Sequence, residues 1–421
     1  MIYSCQWRRQ SCSYFSQLHR LCETCCLEVI LVARKVKIAI VNRSFWPIYP
    51  VVGEGLLKLA EELSTDYIVS VIVQDHANIK THLKRTGRGF GVRFFPIKAW
   101  SNSASGILIR VLDSFYFMVS VFFTLLWVRP KKIYVSTDPP VLVPFIVMIY
   151  CKIFNSRYVY HLQDIHPEAT NIVFSLNKWS YKLLFWMDNT VVRNADKVIT
   201  ITDQMAKEIK RRANLSHSAC VHVIANPAVS FEKIKIDREK IRGFSFCGNA
   251  GRLQRIPLLV EAIDLYFLQG GQLQFAFAGS GVFQNEISTL AKKYKNVKSL
   301  GFIDPSDAAQ LSADYEWALL PIEDEVTRYA FPSKSSSYAV AGALILAICG
   351  ESTSVGEWVK YHNLGVVVKP DVINLVNVFH DIERGNINIL QFNHDREQIS
   401  QALRFDVFVD LLKIHMIIKD A

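Results

Sequence analysis

Phe331-Pro332-Ser333-Lys334-Ser335-Ser336-Ser337-Tyr338-Ala339-Val340-Ala341-Gly342-Ala343-Leu344-Ile345-Leu346-Ala347 is the stretch on which the reading of the fold turns. A loop ends near Pro332, small polar residues open a short helix, Gly342 stops it, and an unbroken apolar run reads as a buried strand. Lys334 stands at the helix mouth, where unpaired backbone N–H groups and the positive end of the dipole favour an anion. An ordinary helix start with a surface lysine has the same local pattern. Its meaning therefore depends on the rest of the chain.

The same alternation of apolar runs and helical stretches occupies most of the sequence and predicts an α/β protein with parallel sheets covered on both faces. Strands are expected at 36–41, 68–74, 132–135, 158–162, 197–201 and 220–224, then at 244–247, 273–278, 297–300, 317–321, 344–348 and 365–368. Helices separate them, including a long one at 107–128, and the closing stretches 372–384 and 396–418 read as helical. Ala225-Asn226-Pro227 reads as the joint between two wound sheets, in keeping with a length of 421 residues, too long for one comfortable core. Ligands of such sheets bind outside the carboxyl ends of the strands, so the active site is expected in a cleft between the halves.

Half of the residues are hydrophobic and the formal net charge is +10, which favours anionic partners. No Lys/Arg-rich block is interleaved with aromatics, so nucleic acid is not among them. Cys5, Cys12, Cys22, Cys25 and Cys26 crowd the first residues, but a zinc site wants a second spaced pair, and no metal is expected. Residues 1–35 lack clear periodicity and read as a leader outside the fold, without the apolar core and cleavage site of a secretory signal. Cys151, Cys220, Cys247 and Cys349 sit singly in apolar surroundings, as reduced thiols of a cytoplasmic protein do. The apolar runs 114–128 and 139–151 fall short of the roughly eighteen residues of a spanning helix. They read either as core helices or as a face resting on an anionic bilayer.

Four loops at strand ends carry the candidate chemistry. Gly53 and Gly55 follow the first strand, but ten residues intervene, and the Gly-x-Gly-x-x-Gly of a dinucleotide fold is absent. Cys247-Gly248-Asn249-Ala250-Gly251-Arg252-Leu253-Gln254-Arg255 offers an arginine after a glycine turn, able to hold a diphosphate bidentately. Ala278-Gly279-Ser280-Gly281 is turn chemistry after another strand. In Gln163-Asp164-Ile165-His166-Pro167, Asp164 or His166 can share a proton or hydrogen-bond a sugar hydroxyl, while a histidine beside a proline also serves structure alone. Thr137 and Asp138 cap the neighbouring strand and either line an acceptor side or act as a helix cap.

Taken in order, these loops, with Asn194-Ala195-Asp196, Asn226-Pro227, Pro332-Ser333-Lys334 and Gly342, resemble the family 4 retaining glycosyltransferases of GT-B fold. The resemblance is closest to the bacterial branch that builds O-antigen, capsule and exopolysaccharide. Tyr49-Pro50-Val51-Val52-Gly53-Glu54-Gly55 is similar to its fucosamine and other amino-sugar transferases. The resemblance implies two Rossmann-like domains facing across a cleft: 36–226 on the acceptor side, 227–395 holding the nucleotide sugar, and a C-terminal helix, 396–421, packing back on the first domain. It implies Arg252 and Lys334 on the donor diphosphate, with Gly53, Gly55, Gly251, Gln254, Gly279, Gly281, Ser333 and Ser337 around the donor. Asp164 would stand near the anomeric centre, with Thr137, Asp138 and His166 on the acceptor side.

No cofactor is implied beyond the nucleotide sugar itself, expected to be a UDP-sugar carrying an N-acetylated amino sugar. The implied acceptor is a polyprenyl-diphosphate-linked saccharide at the inner-membrane surface, with the enzyme cytoplasmic and peripherally attached. The sequence departs from relatives that carry two glutamates seven residues apart, for here the matching positions are Tyr329 and Ser337. Arg255 offers a second phosphate charge, and Glu323-Asp324-Glu325 reads as a solvated loop. Two other functions share the fold. A nucleotide-sugar 2-epimerase needs acids to move a proton and no lipid acceptor; an inactive transferase-like subunit would be expected to lack Arg252 and Lys334.

Overall fold

The computed structural model describes residues 36–417 apart from 50, 102–104, 217–220, 229–233, 236–238 and 393–395. The expected leader, its five cysteines, Pro50 and Cys220 lie outside the described residues. Two parallel sheets organise the chain. The first comprises β1 (Lys37–Val41), β2 (Ile68–Asp75), β3 (Arg93–Lys98), β4 (Lys132–Ser136), β5 (Arg157–Leu162), β6 (Lys197–Thr200) and β7 (Val221–Val223), in the spatial order β3-β2-β1-β4-β5-β6-β7. The second comprises β8 (Ile241–Cys247), β9 (Gln274–Ala278), β10 (Val297–Ser299), β11 (Tyr315–Pro321), β12 (Leu344–Ile348) and β13 (Gly365–Val368), ordered β10-β9-β8-β11-β12-β13. Central strands such as β12, Leu-Ile-Leu-Ala-Ile, are buried on both faces, which is why they read as unbroken apolar runs rather than alternating ones.

The helices that matter for the site and the surface are α1 (Val52–Leu63), α2 (Ile79–Thr86), α3 (Ile107–Val128), α4 (Leu142–Phe154), α5 (Glu168–Val173), α6 (Lys178–Asn194) and α7 (Asp203–Ala213) in the first domain. In the second they are α8 (Ile256–Leu268), α9 (Gln284–Lys293), α10 (Pro305–Asp314), α11 (Lys334–Val340), α12 (Ser354–Tyr361) and α13 (Val372–Arg384). The sequence reading lacks α2, β3 and α5. β3 carries Pro96 and charged ends, a pattern tolerated because it is an edge strand with one neighbour.

The closing segment, expected as one helix over 396–418, is two: α14 (Arg396–Ala402) and α15 (Phe405–Met416). At the break the Leu403 carbonyl accepts the Ala228 N–H at 2.9 Å, so the chain turns where it meets the interdomain joint. α14 packs on α11, whereas α15 crosses back to α1 and β4. Gly55 makes room for that crossing, since a Cβ there would lie 2.7 Å from the Phe408 ring.

Beneath the first sheet's carboxyl edge lies a buried ionic cluster. Arg212 of α7 donates to both Glu168 oxygens at 3.1 and 2.8 Å, to the His166 carbonyl at 2.8 Å, and to Asp188. Tyr160 completes it with a 2.5 Å hydrogen bond from its hydroxyl to Asp188. Removing the one cation leaves two carboxylates buried without a counter-charge. Arg212→Met is expected to destabilise the protein by about 3–5 kcal/mol in chemical denaturation; a midpoint unchanged from wild type would refute the cluster's role.

Candidate active site

A cavity of about 520 Å³ opens between the sheets, walled by Asn42, Ser44, Tyr49, Asp138, Asp164, Asn226, Phe331 and Ser333 among others. Its first-domain wall is built from strand ends. After β1, the Arg43 Nε and the Ser44 N–H each donate to Asp138 at 2.8 Å. Both Asp138 oxygens are thereby used to hold the loop, which makes it a positioning residue on the cavity wall. Thr137 is buried below the wall, and its hydroxyl accepts the Gln163 and Asp164 N–H groups at 3.2 and 3.4 Å.

The loop after β5 is the junction of the two domains. Ile165 donates its N–H to the Tyr329 carbonyl at 2.6 Å, and Asp164 forms a β-bridge with Ala330. The Asn226 amide donates to the Gln163 side chain at 2.7 Å, while Ser336 of α11 donates to the Asn226 carbonyl at 2.8 Å. Gln163 in turn bonds His161 at 2.9 Å, a fully buried imidazole that burial keeps neutral. Asp164 is left with a carboxyl group at the cavity, where burial and then the Asp138 charge push its pKa up to about 6. His166 faces elsewhere: its Nδ1 pairs with Thr170 at 2.8 Å, and burial plus the Arg212 charge pull it down to about 4.

On the second domain Lys334 occupies an unusual position. Its ammonium lies 4.0 Å from the centre of the Phe246 ring, beside Gly248, with no hydrogen-bond partner, and burial pulls its pKa down to about 8. Tyr338, four residues on and on the same helix face, fixes it there. The Tyr338 hydroxyl accepts the Cys247 N–H at 2.9 Å and so clamps α11 to the end of β8.

The glycine loops close over this region by backbone contact. A Cβ on Gly279 would lie 1.9 Å from the Gly248 oxygen, and one on Gly281 would lie 2.3 Å from the Ala250 oxygen. Arg252 projects from the same loop, exposed and without an ion-pair partner among the described residues. Gln254 turns inward with its Oε1 unpartnered, against Gly251.

Arg255 is not available for phosphate. Its guanidinium pairs with Glu323 at 2.9 Å and Asp324 at 3.0 Å and donates to the Ile322 carbonyl at 2.8 Å. Glu323-Asp324-Glu325 is accordingly no free solvated loop. Asp324 also accepts the Gly350 N–H at 3.0 Å and ties together the loops after β8, β11 and β12.

Gly53 likewise has a packing reason, since a Cβ there would lie 2.6 Å from the Trp46 nitrogen. Ser333 reaches the cavity wall and Ser337 lies within α11. Sequence reasoning passed over Phe246, Tyr338 and the Gln163–Asn226 pair; only the four-residue spacing of Lys334 and Tyr338 signalled one of them. A second cavity, of about 540 Å³, is lined by Arg328 and by Glu168 and Asp324, the two carboxylates being already paired with Arg212 and Arg255.

No protein-family model matches the chain. A probable glycosyltransferase of Pseudomonas aeruginosa, WbjE, is 25% identical over 305 residues, covering 68% of this chain and 74% of the relative. Among solved structures, Anabaena HepE in complex with UDP superposes with a TM-score of 0.60 at 16% identity, over 90% of this chain and 99% of that one. A UDP-N-acetylglucosamine 2-epimerase described as putative, from Listeria monocytogenes, gives 0.61 at 11% identity, over 92% and 98%. Together with the two facing sheets and the returning α15, these likenesses establish the GT-B fold. The loop contact at Gly279 follows from the geometry alone. Gly279→Ala is expected to lower stability by about 2–4 kcal/mol, read as a fall in Tm, because the backbone must separate at Gly248; a Tm within a degree or so of wild type would contradict it.

Proposed function

We propose that this protein is a retaining glycosyltransferase that moves a sugar, expected to be an N-acetylated amino sugar, from a UDP-sugar to a lipid-linked saccharide. The observation that carries the reading is Lys334: a buried ammonium without a partner, beside a glycine loop that also presents an exposed Arg252. Such a charge is costly unless an anion arrives, and a nucleoside diphosphate supplies two phosphates at that place. The probable-transferase relative and the UDP complex of HepE support the same donor class.

As the sugar–phosphate bond breaks, negative charge collects on the departing diphosphate, where Lys334 and Arg252 stabilise it more than in the ground state. The acceptor hydroxyl oxygen bonds to the anomeric carbon from the same face, and its proton passes to the leaving phosphate oxygen. Asp164, as carboxylate, orients the acceptor or steadies the positive anomeric centre. Surface polysaccharide synthesis, with the enzyme cytoplasmic and peripheral to the inner membrane, is the setting that a polyprenyl-diphosphate-linked acceptor implies.

The epimerase likeness makes a second reading worth separating. Purified protein should release UDP only when an acceptor is present, and acceptor-independent C2 inversion of the donor would replace the transferase reading. Lys334→Ala and Arg252→Ala should each lower transfer by about 10²–10³-fold with folding intact. Wild-type turnover in both would remove the phosphate assignment.

The pH profile gives an independent check. Asp164 must lose its proton, above about 6, and Lys334 must keep its own, below about 8, so kcat/KM should rise through the first value and fall through the second. Bound diphosphate holds the ammonium charged, so kcat should keep its high plateau further into alkali. Lys334→Arg should remove the upper limb, and a flat kcat/KM profile between pH 5 and about 9 would overturn both assignments.

A further inference from the structure

Three helices cover one face of the first sheet side by side, with α4 packed between α3 and α6. The inner stripe of α3, Phe117, Val121 and Leu125, is fully buried in the sheet's core. Its outer stripe is Leu108, Leu112, Phe115, Phe123 and Trp127, all exposed, Trp127 at 76%. α6 repeats the pattern with Trp179, Leu183 and Trp186 exposed at helical spacing, Trp179 at 86%. Phe145 of α4 meets the Trp186 ring at 6.0 Å beside the α6 stripe.

The charges on this layer are one-sided. Its three helices contain two acids, Asp113 and Asp188, and both are buried, at 1% and 0% exposure. Lys152, Lys178 and Lys182 are exposed, as are Arg129 and Lys131 just past the end of α3. Outside, these three helices thus present apolar and cationic side chains and no exposed acid.

We infer that this layer docks on the surface of an anionic lipid bilayer, with the tryptophans and phenylalanines in the interface and the cations on the head groups. This deepens the reading above, on which it rests for its purpose: the docked face keeps the enzyme beside a lipid-linked acceptor. α3, over Leu108–Val128, is long and apolar enough to cross a membrane by length and composition. Its packing sets it parallel to the surface instead. Withdrawing α3 as a span would uncover the sheet and carry Asp113, which accepts the Trp100 and Ser101 N–H groups at 3.1 and 3.2 Å, into hydrocarbon. A second copy is a poorer occupant, because pairing two such faces sets like charges against each other.

The test is co-sedimentation of the full chain with vesicles of phosphatidylglycerol and phosphatidylethanolamine, against vesicles of phosphatidylcholine alone. Wild type should bind the anionic vesicles and be released by salt. The double variant Trp179→Glu, Leu183→Glu should bind at least about tenfold more weakly at unchanged Tm, since both side chains are exposed. Turnover on a water-soluble acceptor should stay at the wild-type level. Equal binding of variant and wild type overturns the inference, as does wild type left in the supernatant, or a solution dimer that the same substitutions split. Vesicle binding without sugar transfer would remove the transferase reading and leave the docking face standing; transfer without vesicle binding would do the reverse.

Discussion

The Arg212 guanidinium, buried outside the cleft, is the interaction on which the cleft's geometry depends. It joins α5 through Glu168, α6 through Asp188 and the β5 loop through the His166 carbonyl. A buried cation is tolerable only when its counter-charges are in place, so these elements are held as a set. The loop is then fixed at both ends, by His166 at one and by the Thr137 hydroxyl at the other. Between those anchors Ile165 presents its N–H to Tyr329, and the second domain takes its position from that contact. Asp164 therefore owes its place to an ion-pair cluster and to the Thr137 hydroxyl.

The second domain solves a different problem. Lys334 has been taken out of water and set over the face of Phe246, which offsets part of the lost hydration through the ring's negative quadrupole. The lowered pKa reports the remainder. Arg255, three residues beyond Arg252, shows the contrast: it is saturated by two carboxylates and a carbonyl and spends its charge on folding. Of the two arginines in one loop, the structure keeps one for architecture and leaves the other exposed.

The sequence made the strongly buried parts legible and the contact-dependent parts not. β12 and the Gly342 stop could be read because burial on both faces and a helix terminator leave local signatures. α2 and β3 could not, being polar and at an edge. The glycines were visible as turns, but their reasons are distant partners: Gly248 for Gly279, Trp46 for Gly53, Phe408 for Gly55. The division of labour between Arg252 and Arg255 was invisible for the same cause, because Glu323 and Asp324 approach only in the folded chain. Thr137 and Asp138 were legible as residues near the cleft and not as its supports.

The departure at Tyr329 and Ser337 takes on a physical sense from these contacts. Where the family 4 resemblance leads one to expect the first glutamate, Tyr329 gives its carbonyl to the interdomain hydrogen bond and packs its ring on the first domain's core. Where it leads one to expect the second, α11 has a serine, one turn beyond Lys334. Residues three apart on a helix are neighbours, so a carboxylate there would favour the charged ammonium. Without it, the Lys334 ammonium faces an aromatic ring and the Cys247 thiol, neither of which neutralises it. Among the described residues the Lys334 ammonium thus makes no hydrogen bond within the fold, as the proposed diphosphate site requires.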